Sequence, residues 1–238
     1  ESRSYVQLTL DVLHDFGVAV DWDEERENTL YIPGGQRYHN RSCTVEGDYS
    51  QAAFLAVLGA LAGGVTVTGL KENSSQGDAA ILDILAACGA KFTRTGDAVA
   101  FEKSELHATK IDLADCPDLG PILMVLGLFC EGETVIRNAG RLRIKESDRI
   151  AAMEEELRKF GGKLQSDETT VTIQGSALAL PGLLCGHNDH RVVMALSVAA
   201  LAAGYTARIS GAQAVAKSWP GFFAVLQQLG AGIEVEKE

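Results

Sequence analysis

Asn188-Asp189-His190-Arg191-Val192-Val193-Met194-Ala195-Leu196-Ser197-Val198-Ala199-Ala200-Leu201 opens with polar residues and then turns apolar on every face. Asn and Asp at the start are good helix caps, and Gly204 supplies a stop, so a helix over His190–Ala203 is predicted. A helix without a polar face cannot lie on a surface and has to be wrapped by the rest of the chain.

The same local pattern recurs upstream with a period of roughly 65 residues. From Cys43 onward each unit reads as a short strand, a polar or acidic step, an apolar helix, a strand, an amphipathic helix and one or two strands. In the first unit Asp48 precedes a helix Ser50–Leu61, followed by a strand Val65–Thr68, a helix Ala79–Cys88 and strands Lys91–Arg94 and Ala98–Phe101. In the second, Asp115-Cys116-Pro117-Asp118 opens a helix Ile122–Cys130. A strand Thr134–Arg137, a helix Ser147–Phe160 and strands Lys163–Gln165 and Thr170–Ile173 follow. The third unit adds a strand Tyr205–Ile209, a helix Pro220–Leu229 and a strand Gly232–Val235. The expectation is an α/β (α+β) fold of three βαβαββ units, helices inward and sheets outward. Residues 1–42 read as the end of an earlier unit: a helix Tyr5–Phe16, then strands Val18–Asp21 and Thr29–Ile32. The reading divides the chain into 1–42, the tail of an amino-terminal-side domain, and 43–238, with the boundary near Gln36–Ser42.

A net charge of −11 argues against nucleic acid or an anionic membrane as general partner, and no apolar run is long enough to span a bilayer. The five cysteines are scattered without a C-x-x-C pair, which favours neither a zinc site nor a disulfide framework; they read as buried thiols in a reducing, cytoplasmic compartment. Glu1-Ser2-Arg3-Ser4 has no secretory pattern and reads as a cut from something longer.

Against that acidic background, cations stand at helix starts, where the helix dipole alone disfavours them. Arg149 lies just inside one predicted helix, Arg191 inside another, and Lys217 precedes Ser218-Trp219-Pro220, read as a third start. The placement makes sense where an anion meets helix N–H groups and a cation together. The segment Arg137–Arg149, rich in Arg and Lys, adds to this, although alone it also fits a solvated charged loop. Asp118 has two readings: a capping-box residue, or a carboxylate beside a cationic pocket that stays ionised and accepts a proton. Glu146, next to Lys145, is a second acid/base candidate.

With these residues in place the chain closely resembles the 5-enolpyruvylshikimate-3-phosphate synthase family. The matching segments are Val45–Asp48 with Ser50, Asn73–Asp78, Pro117-Asp118, Arg141–Arg149, Asn188–Arg191 and Lys217–Pro220. The resemblance covers essentially the whole chain, and Arg141–Arg149 together with Asn188–Arg191 is its most specific part. It implies two domains of three βαβαββ units facing each other across a cleft, with the amino-terminal half of the enzyme as the missing partner. It also implies transfer of the enolpyruvyl group of phosphoenolpyruvate to shikimate 3-phosphate with release of phosphate. By motif, Asp118, Glu146 and Lys217 would be catalytic; Arg149, Arg191 and Lys217 would hold phosphoenolpyruvate; Ser2, Asp118, Arg141 and Lys145 would hold shikimate 3-phosphate. Arg141 replaces an Asn found in some members. No metal or organic cofactor is implied, and this half of a site alone is expected to be inactive. Two alternatives are a UDP-N-acetylglucosamine enolpyruvyl transferase, expected to lack the run Lys145–Arg149, and a non-catalytic binding or assembly module.

Overall fold

The computed structural model describes residues 3–236. Helix α1 (Arg3–Asp15) leads into a short antiparallel pair, β1 (Asp21–Trp22) and β2 (Leu30–Tyr31). The first repeating unit follows as α2 (Tyr49–Ala62), β3 (Val65–Val67), α3 (Ala80–Ala87), β4 (Lys91–Thr95) and β5 (Ala98–Glu102). The second is β6 (Lys110–Asp112), α4 (Gly120–Phe129), β7 (Glu133–Arg137), α5 (Arg149–Lys159), β8 (Lys163–Ser166) and β9 (Val171–Gln174). The third comprises β10 (Leu183–Cys185), α6 (His190–Ala203), β11 (Arg208–Ser210) and α7 (Phe222–Gln228).

The apolar helices α2, α4 and α6 pack against one another at the centre. Ile122–Leu128 of α4 and Val192–Ala200 of α6 are buried all round, as helices lacking a polar face must be. The one polar side chain in the apolar stretch of α6, Ser197, donates its hydroxyl proton to the Val193 carbonyl (2.8 Å), so it leaves no unpaired group in the core. Small separate sheets lie around this centre. The first unit has an antiparallel sheet ordered β3-β5-β4, the second a mixed sheet ordered β6-β7-β9-β8, and the third a parallel pair β10-β11.

All six elements of the repeat are present in the second unit, and the other two units differ from expectation at their ends. No strand forms over 43–48, where the first unit was expected to open with one. That segment makes isolated bonds instead of a ladder, from Gly47 N to Gly69 O (2.7 Å) and from Gln76 Nε2 to Gly47 O (2.9 Å). The expected strand Gly232–Val235 does not form either, since the Ile233 carbonyl accepts from the Gln227 side chain (2.8 Å). The helix expected over Pro220–Leu229 is capped by Gly221, not Ser218, because Ser218 ends a preceding 3-10 helix Ala212–Lys217. Strand β11 starts three residues later than the apolar pattern suggested, where the parallel pairing with β10 begins. Cys88, Cys116 and Cys130 are buried as expected, whereas Cys43 is exposed.

Gly59 shows how closely the first sheet lies on α2: a Cβ there would stand 2.6 Å from Phe101 Cβ and 2.9 Å from Val65 Cβ, atoms no rotamer change can move. Alanine gains about 1 kcal/mol in helix propensity, but overpacking of this kind costs about 1–3 kcal/mol. Gly59→Ala is therefore expected to lower the urea midpoint; a raised midpoint would show that the sheet yields more easily than this packing implies.

Candidate active site

The site lies where the starts of α5 and α6 meet the 3-10 turn Pro117–Leu119, which leads into α4. Asp148 caps α5 by accepting from Ala151 N (3.0 Å), and Asp189 caps α6 by accepting from Arg191 N (2.9 Å). These caps set Arg149 at the first position of its helix and Arg191 at the second.

Asp118 is the meeting point. Its Oδ1 lies 3.1 Å from Arg149 Nη1 and 3.2 Å from Lys145 Nζ, and its Oδ2 lies 3.2 Å from Arg191 Nη2. Tyr5 on α1 donates its hydroxyl proton to Oδ2 (3.4 Å). No side-chain cap bond holds the start of this turn or of α4, so the capping reading of Asp118 gives way to the ionic one. Burial pushes the Asp118 carboxyl upward, but the charges of Arg191, Lys145 and Arg149 outweigh it and hold the group below the ordinary carboxylate range.

Arg149 is almost fully buried and reaches a second carboxylate, with Nε 2.8 Å from Asp189 Oδ2 and Nη2 3.3 Å from Oδ1. Ser147 Oγ donates to the same Oδ2 (3.1 Å). Burial again raises Asp189, and its bonds to Arg149, the Arg191 amide and Ser147 bring it below its ordinary value.

Glu146 and Lys217 form the neighbouring patch. Lys217 Nζ is 3.2 Å from Glu146 Oε2 and donates to the Asn188 carbonyl, while His190 Nδ1 lies 3.0 Å from Glu146 Oε1. Burial lowers the His190 pKa more than Glu146 raises it, which favours a neutral imidazole. Arg149, Arg191 and Lys145 thus share one carboxylate, whereas Lys217 stands on Glu146 at the end of a 3-10 helix, outside any first turn. Arg141 is half-buried on the 3-10 turn Gly140–Ile144 that leads to Lys145. Ser2 lies outside the described residues.

Among the described residues the bonded network sets four cations, Lys145, Arg149, Arg191 and Lys217, against three carboxylates, Asp118, Asp189 and Glu146. A chain with a net charge of −11 therefore gathers four of its 21 Lys and Arg residues at one place. Glu146, Asp189 and His190 bring potential metal-ligand atoms within 4.8 Å of one another, but both carboxylates are already engaged by Arg149 and Lys217.

Three contributors were not marked as site residues in the sequence. Asp189 was visible as a cap, but not as the acceptor for Arg149, forty positions away. Tyr5 reaches Asp118 across 113 positions with no local signal. Asp78 is buried, accepts from Ser50 Oγ with Oδ2, and has no hydrogen-bond partner for Oδ1.

The family model described as EPSP synthase (3-phosphoshikimate 1-carboxyvinyltransferase) matches residues 1–226. The 3-phosphoshikimate 1-carboxyvinyltransferase of Clostridium kluyveri is 40% identical over 98% of this chain and 54% of its own length. That of Methanocaldococcus jannaschii is 38% identical over 99% of this chain and 55% of its own. Among solved structures, EPSP synthase from Acinetobacter baumannii superposes with a TM-score of 0.84 at 28% identity, covering 94% of this chain and 54% of that one. The fold is the mixed helix-and-sheet architecture of that structure. The chain belongs to the EPSP synthase (3-phosphoshikimate 1-carboxyvinyltransferase) family. It spans about half the length of the curated relatives it matches.

Asp78 yields a pH-dependent expectation. Burial first, with Asp118 and Asp48 adding, raises its pKa from 3.8 to about 6 against the opposing pull of Ser50 and Arg191. An acid whose folded pKa is raised favours the folded state while protonated, so stability is lost as pH rises from about 4 through about 6. Asp78→Asn is expected to be more stable than the parent at pH 8 by about 1–3 kcal/mol, with the gap closing toward pH 4. Urea melts at both pH values check this, and a constant difference would contradict it.

Proposed function

We propose that this chain supplies one wall of a carboxyvinyl-transfer site that joins phosphoenolpyruvate to shikimate 3-phosphate and releases phosphate, in the cytoplasm. The observation carrying the reading is Asp118 held ionised among Lys145, Arg149 and Arg191, in a chain of this family. Among the described residues no helix is long and apolar enough to cross a membrane.

In the proposed reaction the shikimate hydroxyl adds to the enol carbon of phosphoenolpyruvate and gives its proton to Asp118. Glu146 and Lys217, paired at 3.2 Å, deliver a proton to the methylene carbon, making a tetrahedral intermediate. Loss of phosphate, with return of a proton from that methyl group, forms the enol ether. Arg149, Arg191 and Lys217 hold the phosphate and carboxylate of phosphoenolpyruvate, and Lys145, with Arg141 and Ser2, holds shikimate 3-phosphate. An incoming anion would compete with Asp118 for Arg149 and Arg191, so binding would free the carboxylate to face the hydroxyl. Residues 1–42 would belong to one domain and 43–238 to the other. The remaining length of the relatives would supply the facing wall, which excludes water and completes the grip on the substrates.

The test is a coupled phosphate-release assay on the chain alone, on its mixture with a separately made amino-terminal half, and on that mixture carrying Asp118→Asn. The chain alone should be inactive and the mixture active. The asparagine variant, which keeps the shape but accepts no proton, should be slower by about 10²–10⁴. Near-normal turnover by the chain alone would refute the half-site reading; an unaffected Asp118→Asn mixture would remove Asp118 from the chemistry.

A further inference from the structure

The turn between β10 and α6 carries two consecutive non-glycine residues in the left-handed region, His187 (φ 49°) and Asn188 (φ 51°). Side chains with a Cβ take that conformation uncommonly, Asn and His more readily than most, and surrounding contacts help to hold two in a row. Glu156 on α5, with no exposed side-chain surface, supplies the constraint. It accepts from Cys185 N (2.9 Å) through Oε2, and its Oε1 lies 3.2 Å from His187 Nε2. Lys159 neutralises it, with Nζ 2.8 and 2.9 Å from the two oxygens. Gly186 lies so close to the body that a Cβ there would stand 2.5 Å from Val193 Cγ2 and 2.8 Å from the Ser210 carbonyl.

The next two residues reach the site, as the Asn188 carbonyl accepts from Lys217 and Asp189 binds Arg149. Arg149 and Glu156 are seven residues apart on one helix, hence on one face and roughly 10 Å apart along its axis. Helix α5 therefore grips the turn at both ends with two buried charged side chains. The arginine belongs to the proposed site; the glutamate has no part in the chemistry above.

We propose that Glu156 is a positioning residue: by fixing the His187-Asn188 turn it sets the carbonyl that aims the Lys217 ammonium at Glu146. Its catalytic meaning rests on the reading of Lys217 as a substrate-holding group, but the positioning itself does not.

The test uses this chain, its Glu156→Gln and His187→Gly variants, and the double variant. The glutamine keeps shape and loses charge; glycine takes a positive φ without strain. The first readout needs no ligand: the acetylation rate of the Lys217 amine by mass spectrometry, with exposed Lys163 on β8 as internal reference. Glu156→Gln should raise the Lys217 rate about tenfold, the scale of one lost hydrogen bond to a charged group, and leave Lys163 unchanged. In the His187→Gly background the same substitution should add much less. Glu156→Asp, which keeps the charge one methylene short, should give an intermediate rise and serves if the glutamine variant does not fold. The second readout is inorganic phosphate affinity by calorimetry, expected to weaken by a similar factor. An unchanged Lys217 rate, or Lys217 and Lys163 rising together, overturns the proposal and leaves Glu156 a support of the fold. If the parent chain binds no phosphate, the reading of the cation pocket loses its support, while the labelling still decides the role of Glu156.

Discussion

The buried guanidinium of Arg149, shared between Asp118 and Asp189, ties the second repeating unit to the third. Moving a guanidinium and a carboxylate out of water is costly, and only good geometry with further hydrogen bonds compensates. Arg149 gives three of its N–H groups to the two carboxylates, and Asp189 takes further bonds from Ser147 and the Arg191 amide. Removing one partner would strand the other without water, an imbalance typically worth about 3–5 kcal/mol. The starts of α4, α5 and α6 cannot drift apart while this pair is intact. Asp118 is held in place by its partners on those helices and by Tyr5.

Such a pair depends on local structure that the sequence writes plainly. The helix His190–Ala203 runs between the residues expected, because an Asp cap, an uninterrupted apolar run and Gly204 in the left-handed region (φ 69°) all agree. Helix α2 begins at a true cap as well: Asp48 accepts from Ser50 N (2.8 Å) and Gln51 N (3.3 Å). The sequence was less legible wherever the deciding contact is distant or missing. Gly232–Val235 has strand composition, but no neighbouring strand pairs with it and a side chain takes one of its carbonyls. Ser218-Trp219-Pro220 looks like a helix start, yet the Trp219 and Ser218 amides bond back to Val215 and close the preceding turn instead. In the site, Arg149 and Arg191 were legible because they violate the usual charge preference at helix starts. The neighbouring Tyr5 and Asp78 were not, since a tyrosine on an amphipathic helix and an aspartate in a short turn violate nothing.

The cations at the helix starts also show how local and long-range demands meet on the same atoms. An arginine in a first turn opposes the helix dipole, and an Asp cap beside it restores the balance. Asp189 does this for α6 while its two oxygens also take Arg149, so it uses nearly the full accepting capacity of a carboxylate. Asp118 is different: it caps nothing and retains about a fifth of its side-chain exposure. One carboxylate is sealed from solvent and the other meets it in part. That difference, set by burial and capping, leaves Asp118 and not Asp189 partly open to solvent.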